Sequence, residues 1–474
     1  MTIRREDVAF LGAGALATLV REKRLSPVEL VEVYLRRIDA LDGRLRAFIT
    51  VCGEDALRAA REAEVAVARG EAPGPLHGVP VAVKDQFYTN GIRTTVGSRI
   101  LEKFIPEEDA TVVARLKSAG AILLGKLNLS EFAFGGTLHH PFGQPRNPWH
   151  LECDPGGSSS GSAVATAAAL CAATLGEDTG GSVRGPASWC GTVGVRPAWG
   201  RVSRHGCYPL SWSMDTAGPL TRTVEDSALL LKVIAGYDPK DPLTSRRSVP
   251  DYPAALTGEV RGLRVGIIRE LTLGADTDPE VGNAVSAAGT LLGRLGARVE
   301  ELSLPLLPLA GAVFMALADS EGAGLHQHRL LSRPDDYDHG TRRRLFTASL
   351  LPAAVYHQAQ RARGLIREQV LDALARYDLL LCPTSPRSAP PIAAGGSPIT
   401  SKEEAARRFF TRRSYTTPFS LAGTPAMSIP CGFTTSGLPI GLQLAGRPFD
   451  EATLFRVSYA YEQETAWHTR RPSL

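Results

Sequence analysis

Hydrophobic and polar positions along this chain follow two different periods. Between residues 1 and 70 the period is helical: Leu30, Val31, Val33, Tyr34 and Ile38 recur on one face. They follow Ser26-Pro27-Val28-Glu29, which supplies an N-cap, a proline at the first helical position and a glutamate at the third. From 78 to 240 short unbroken apolar runs take over. Residues 79–83 and 121–124 have strand length without alternation, the pattern of strands covered on both sheet faces. Gly-rich turns and helical stretches separate these runs, which predicts an α/β fold. An Ala-rich stretch at 163–173 reads as a helix between two Gly-Ser loops.

Residues 241–375 read as mostly helical, with a strand at 263–268 and a stretch at 329–344 rich in Arg, Asp and Pro. Strand signals return at 379–382, 426–429 and 440–444. No linker or repeat divides the chain, so a single domain over 1–474 is expected. Its parts are N-terminal helices at about 1–70, a core at about 71–240, a helical region at about 241–375, and C-terminal strands and helices at about 376–474.

Composition narrows the function classes. With 43% hydrophobic and 22% charged residues, the 474-residue chain is ordinary globular material. A formal net charge of +4, with no run of like charges longer than Arg342-Arg343-Arg344, gives no electrostatic footprint for nucleic acid. The seven cysteines are odd in number and never form C-x-x-C, which disfavours a disulfide framework and a zinc site, and a reducing cytoplasm fits best. Arg4-Arg5 ahead of the apolar run 8–20 invites comparison with a signal peptide, but Glu6 and Asp7 interrupt it and Arg21-Glu22-Lys23-Arg24 follows without a cleavage site. An ordinary first helix is expected there, and the Pro-interrupted run 302–318 is too short to span a membrane.

Candidate chemistry concentrates in two loops. Pro155-Gly156-Gly157-Ser158-Ser159-Ser160-Gly161-Ser162 precedes the Ala-rich stretch, and Asp178-Thr179-Gly180-Gly181-Ser182-Val183-Arg184 follows it. Gly-Gly ahead of a serine lets main-chain N–H groups converge on one point, as an oxyanion hole requires. The plainer alternative is a pair of flexible turns. A serine nucleophile needs a base. None of the ten histidines stands in a recognisable base context, and His139, His140, His150 and His205 read as surface or packing residues. His326, His328 and His339 beside Asp335, Asp336 and Asp338 make only a weak metal signal. Lys84 closes the apolar run 79–83, where burial would favour its neutral form; the local alternative is a strand-end lysine that reaches back to water.

Three other motif readings fail on context. Gly157-Ser158-Ser159-Ser160-Gly161 matches a nucleophile elbow, which would nominate Ser159, but no hydrophobic strand precedes it. The stretch 120–126 has P-loop spacing, yet Leu127 stands where the magnesium-binding hydroxyl belongs. No dinucleotide fingerprint occurs in a strand-turn-helix setting.

The ordered set Gly78-Val79-Pro80-Val81-Ala82-Val83-Lys84-Asp85, Gly156-Gly157-Ser158-Ser159, Asp178 to Arg184, Gly194-Val195-Arg196-Pro197, Asp215-Thr216-Ala217-Gly218-Pro219 and Gly437-Leu438-Pro439-Ile440-Gly441-Leu442-Gln443-Leu444 resembles the amidase signature family, over roughly 8–465. The resemblance implies an α/β/α sandwich around a large mixed sheet and a Ser-cisSer-Lys triad. Ser182 would be the nucleophile, Ser158 the bridging serine behind a cis peptide bond, and Lys84 the base. Main-chain N–H groups of Thr179, Gly180, Gly181 and Ser182 would form the oxyanion hole. Ser159 would support the lysine, with Asp178 and Arg184 holding the loop. By family position, Phe132, Phe134 and the 310–350 region would line the acyl pocket, the two phenylalanines hinting at hydrophobic or aromatic acyl groups.

Departures bear on substrate. Ser160, Arg196 and Ala198 replace residues common in the family without touching the triad. Arg413 stands where the glutaminase subunits of tRNA-dependent amidotransferases, a branch this chain otherwise resembles, carry an aspartate that binds the amino group of glutamine. The expected activity is therefore hydrolysis of a small or aryl amide, or of a carbamate or ester, the alternative being the glutaminase component of such an amidotransferase. No cofactor, metal, nucleic acid or membrane is expected. Many relatives being dimers, a homodimer is among the expectations.

Overall fold

The computed structural model describes residues 5–71, 74–134, 140–392, 401, 403–404 and 410–474. Eleven strands hydrogen-bond into one sheet: β1 (Phe48–Val51), β2 (Pro80–Lys84), β3 (Ile122–Leu127), β4 (Ala173–Glu177), β5 (Val193–Arg196), β6 (Ala217–Thr221), β7 (Arg264–Ile268), β8 (Arg298–Leu302), β9 (Leu379–Pro383), β10 (Ala426–Phe433) and β11 (Pro439–Gly446). Their spatial order is β1-β3-β2-β4-β6-β5-β10-β11-β9-β7-β8. β2 runs parallel to β3 and β4, and β7 parallel to β8 and β9. The centre, β6-β5-β10-β11, is antiparallel, so the sheet is mixed. Every residue of β2, β4, β5, β6, β9 and β11 is buried, which requires cover on both faces. Helices provide it. The edge strand β8 is largely exposed, as one free side allows.

Ser26 caps the helix Pro27–Leu45 as its sequence predicts: its hydroxyl accepts from the N–H of Val28 and Glu29 at 3.1 and 3.3 Å. The first apolar run ends in the helix Ala13–Arg21. Among the described residues, no helix is long and apolar enough to cross a membrane. Two sequence expectations need correction. Residues 1–70 contain β1 as well as helices, because Phe48–Val51 pairs with the edge of β3. The Ala-rich stretch is not one helix: Ser160–Ala167 is helical, Ala169 turns at φ 49°, and β4 starts at Ala173. Alanine's helix propensity loses there to a slot between β2 and β6. The consequence is functional, since β4 delivers Glu177 and the second Gly-Ser loop beside the end of β2, where Lys84 stands.

Candidate active site

Lys84 is fully buried and does not reach solvent. Its Nζ lies 2.8 Å from Ser158 Oγ, 3.3 Å from the Glu177 carbonyl and 3.3 Å from Glu177 Oε2. The Gly157-Ser158 peptide is cis. Ser158 and Ser182 line one cleft, together with Gly156, Gly157, Thr179, Gly180 and Gly181. The structure thus brings Lys84, Ser158 and Ser182 to one place from three segments.

The second loop is held by a buried charge cluster. Asp178 Oδ1 accepts from the Gly181 N–H at 2.7 Å and from Arg184 Nη2 at 3.0 Å, while Oδ2 accepts from the Val183 N–H at 3.1 Å and Arg184 Nε at 3.1 Å. Arg196 donates to the Asp178 carbonyl and, at 2.8 Å, to the Met214 carbonyl. Burial alone would raise the Asp178 carboxyl, but Arg184 and Arg196 hold it well below the usual carboxylate range. Arg184 continues to Gln443 Oε1 at 2.7 Å and to the Thr416 carbonyl at 2.9 Å, tying the loop to β11 and the C-terminal third.

This geometry revises two assignments. The Gly181 N–H, an expected oxyanion donor, is engaged by Asp178 Oδ1 at 2.7 Å. Ser159 does not bond Lys84: its hydroxyl donates to the Glu177 carbonyl at 3.2 Å, the same oxygen that Lys84 uses. Glycine is required at 180 for space, because a Cβ there would lie 2.3 Å from Phe314 Cζ.

The opposite wall comes from the helical region. Phe314 on helix Ala310–Ser332, Arg344 on helix His339–Ser349 and Arg413 in the short turn Thr411–Tyr415 line the cleft beside Phe134, Trp189 and Leu210. Arg344 pairs with Asp319 through Nε at 2.9 Å and stacks over the Phe134 ring at 5.1 Å. Phe132 departs from expectation: it is fully buried behind the cleft, with ring centroids 4.4 Å from His326 and 5.6 Å from Tyr337. Its φ of 49° turns it away from its neighbour Phe134. Burial pushes His326 down to about 4, leaving it a neutral core residue bonded to the Tyr337 hydroxyl at 2.9 Å. His139 lies outside the described residues.

Sequence reasoning gives no separate role to Glu177 and Asp215, and it reaches Phe314 and Arg344 only as members of the 310–350 region expected to line the acyl pocket. Glu177 directly precedes the second loop, which is the one accessible signal. Arg344 also closes a charge run, and its role depends on where the helix His339–Ser349 docks.

The Amidase family model matches residues 29–455. The A chain of the glutamyl-tRNA(Gln) amidotransferase of Moorella thermoacetica is 42% identical over 493 aligned residues, covering 99% of both chains. Among solved structures, a chain from a vestigial protein complex that reveals the evolutionary origins of an s-triazine catabolic enzyme superposes with TM-score 0.89 at 34% identity, covering 98% of this chain and 100% of the other. The peptide amidase of Stenotrophomonas maltophilia gives 0.83 at 35% identity, covering 97% and 98%.

Proposed function

Because this chain belongs to the amidase family, whose members break amide C–N bonds, we propose that it hydrolyses a small amide whose acyl part carries an anionic group, through an acyl-enzyme on Ser182. The observation that carries the chemistry is the 2.8 Å contact between Lys84 and Ser158 at the foot of the cleft that Ser182 lines. A neutral amine has two N–H groups and one lone pair. The Glu177 carbonyl and carboxylate are acceptors and take the N–H groups, which leaves the lone pair for the Ser158 hydroxyl.

Ser182 Oγ attacks the amide carbon and gives its proton to Ser158, which passes its own to Lys84. The carbonyl π pair becomes an oxyanion facing the N–H groups of Thr179, Gly180 and Ser182. On collapse the C–N bond breaks, the nitrogen takes a proton from Ser158, and Lys84 returns one to Ser158, so the amine leaves neutral. Water then repeats the sequence on the ester and frees the acid.

The substrate class rests on charge. Two guanidiniums line the described cleft, Arg344 with Asp319 paired behind it and Arg413, and the N–H groups of such side chains suit a carboxylate or a similar anion on the acyl group. Of the two phenylalanines behind the expected apolar acyl group, Phe134 lines the cleft and Phe132 does not. A second reading is favoured by the 42% identity to the amidotransferase relative: glutamine as the amide, with partner subunits and tRNA belonging to the complex. That reading also opposes the expectation of no nucleic-acid partner, which rests on this chain's own +4 charge.

Ammonia release by the purified chain decides between them, with glutamine, the monoamide of a short dicarboxylic acid, a neutral aliphatic amide and an anilide as substrates and Ser182→Ala as the blank. Preference for the amine-free acid amide, with KM raised about ten-fold in Arg413→Ala, supports the proposal. Turnover of glutamine alone, or only after partner subunits have been supplied, puts the second reading first, and an anilide as the best substrate overturns the anionic acyl group.

A further inference from the structure

Glu177 stands where it must act on the base. Its Oε2 is 3.3 Å from Lys84 Nζ, and its Oε1 is 2.8 Å from Thr179 Oγ1. The same hydroxyl is 2.8 Å from Asp215 Oδ1. All four side chains are buried. A threonine hydroxyl carries one hydrogen and can donate to one carboxylate oxygen only. Its equally short contact with the other needs a hydrogen from that carboxyl; otherwise two oxygens face each other unprotonated in a dry site. The remaining donors to Asp215 are the N–H groups of Leu210 at 2.8 Å and Ser211 at 3.0 Å, neither of which supplies that hydrogen.

We propose, on the amide-hydrolase reading above, that Glu177 and Asp215 hold one proton between them through Thr179 and so present a single negative charge to Lys84, making Lys84 the group that loses its proton to become the base. Both are positioning residues, acting through Lys84. With two ionised carboxylates on this chain the ammonium would be pinned, and Lys84 could not receive a proton from Ser158. With one, the loss of a single proton to solvent leaves Lys84 an amine and the carboxyl proton in place.

The surrounding charges are accounted for. Asp178 is offset by Arg184 and Arg196, and Arg204 is paired with Asp241. Burial raises the Cys207 thiol, keeping it neutral, and Glu321 lies beyond Ser211, whose hydroxyl it accepts at 2.5 Å. Burial, with the charge of Glu177 added, pushes the Asp215 carboxyl up to about 8, in keeping with a retained proton at neutral pH.

Two measurements test this, and the first needs no substrate. Infrared spectra of the resting protein with isotopically labelled Asp and Glu are expected to show a protonated carboxyl at neutral pH that disappears in Asp215→Asn; absence of that band overturns the proposal even if no amide in the panel is turned over. The second is the acid limb of kcat/KM for ammonia release. Glu177→Gln removes the anion beside the ammonium, so its limb moves to lower pH by about one to two units. Asp215→Asn replaces a carboxyl that already bears a proton, so whatever happens to its rate, its limb stays within about half a unit of wild type. An acid shift in Asp215→Asn as large as in Glu177→Gln would mean two ionised carboxylates, and unmoved limbs in both variants would mean a structural cluster; either result overturns the proposal. Failure of every substrate with the band present would instead strike the amide-hydrolase reading.

Discussion

The two walls of the cleft are built on different principles. Behind Ser182, Lys84, Glu177, Asp178, Arg184 and Arg196 are fully shut from solvent, and each charge meets an opposite charge at 3.0 to 3.4 Å. In front, Phe314, Arg344 and Arg413 are carried by two helices and a short turn, and Arg344 keeps 17% of its side chain exposed. Buried ion pairs are poor stabilisers but they fix geometry, because removing one partner strands the other. The back wall therefore sets what bond is broken, while the front wall, whose Arg344–Asp319 pair keeps partial contact with solvent, sets which molecule is held. Four changes test that division, beginning with the largest effect.

Ser182→Ala strikes the back wall at its one reacting atom. Ammonia release is expected to fall by roughly 10⁴- to 10⁶-fold, with no acyl-enzyme seen by mass spectrometry. The melting temperature should stay within a few degrees of wild type, since the change removes one oxygen and no charge. Substantial residual turnover would remove Ser182 as the nucleophile.

Asp178→Asn tests the buried cluster through stability. It leaves Arg184 and Arg196 without their anion, and a cost of about 3–5 kcal/mol is expected in denaturant unfolding near neutral pH. The pH dependence follows from the direction of the shift. A carboxyl held below its ordinary value contributes fully above the unfolded pKa of about 4 and loses that contribution as pH falls toward the folded value. Wild type and variant should therefore converge below about pH 4, and a gap that persists in acid would locate the effect elsewhere.

Gly180→Ala probes the point where the walls touch. The added Cβ would meet the Phe314 ring at 2.3 Å, so either the oxyanion loop or the helix must give way. A fall of about 10- to 100-fold in kcat is expected from misplaced N–H donors. Phe314→Ala in the same chain should recover part of it by freeing the space. No recovery would mean that the loop, and not the contact, is what the methyl disturbs.

The same division explains what can be read from the sequence. The back wall is legible because its parts lie in short ordered segments around Lys84, Ser158 and Ser182, where backbone geometry dictates residue type. Even there Glu177 escapes notice, since its meaning depends on β4 replacing a run that alanine content makes look helical. The six strand segments named from apolar runs all appear within a few residues of their observed bounds. β1, β4, β5, β6 and β8 do not announce themselves, being short, alanine-rich, broken by glycine or proline, or exposed at an edge. The front wall is legible only coarsely, through Phe134, the 310–350 stretch and Arg413. Arg344 and Phe314 face the cleft only because the helices that carry them pack together, and helical periodicity does not say which neighbour a face will meet.

Phe132 and Phe134 show the limit of reading by position, and Phe132→Leu makes the smallest of the four changes. The two rings stand two residues apart, yet Phe134 lines the cleft while Phe132 packs against His326, Tyr208 and Tyr337 at centroid distances of 4.4, 5.4 and 5.6 Å. Leucine keeps most of the apolar volume and loses the ring pairs, so a cost of about 1 kcal/mol in unfolding free energy is expected. KM should not change, because Phe132 is fully buried and does not line the cleft. A change of about three-fold or more in KM with stability intact would return Phe132 to the pocket; a loss of stability alone places it in the core that holds the front wall's helix Ala310–Ser332 against the sheet-borne loop.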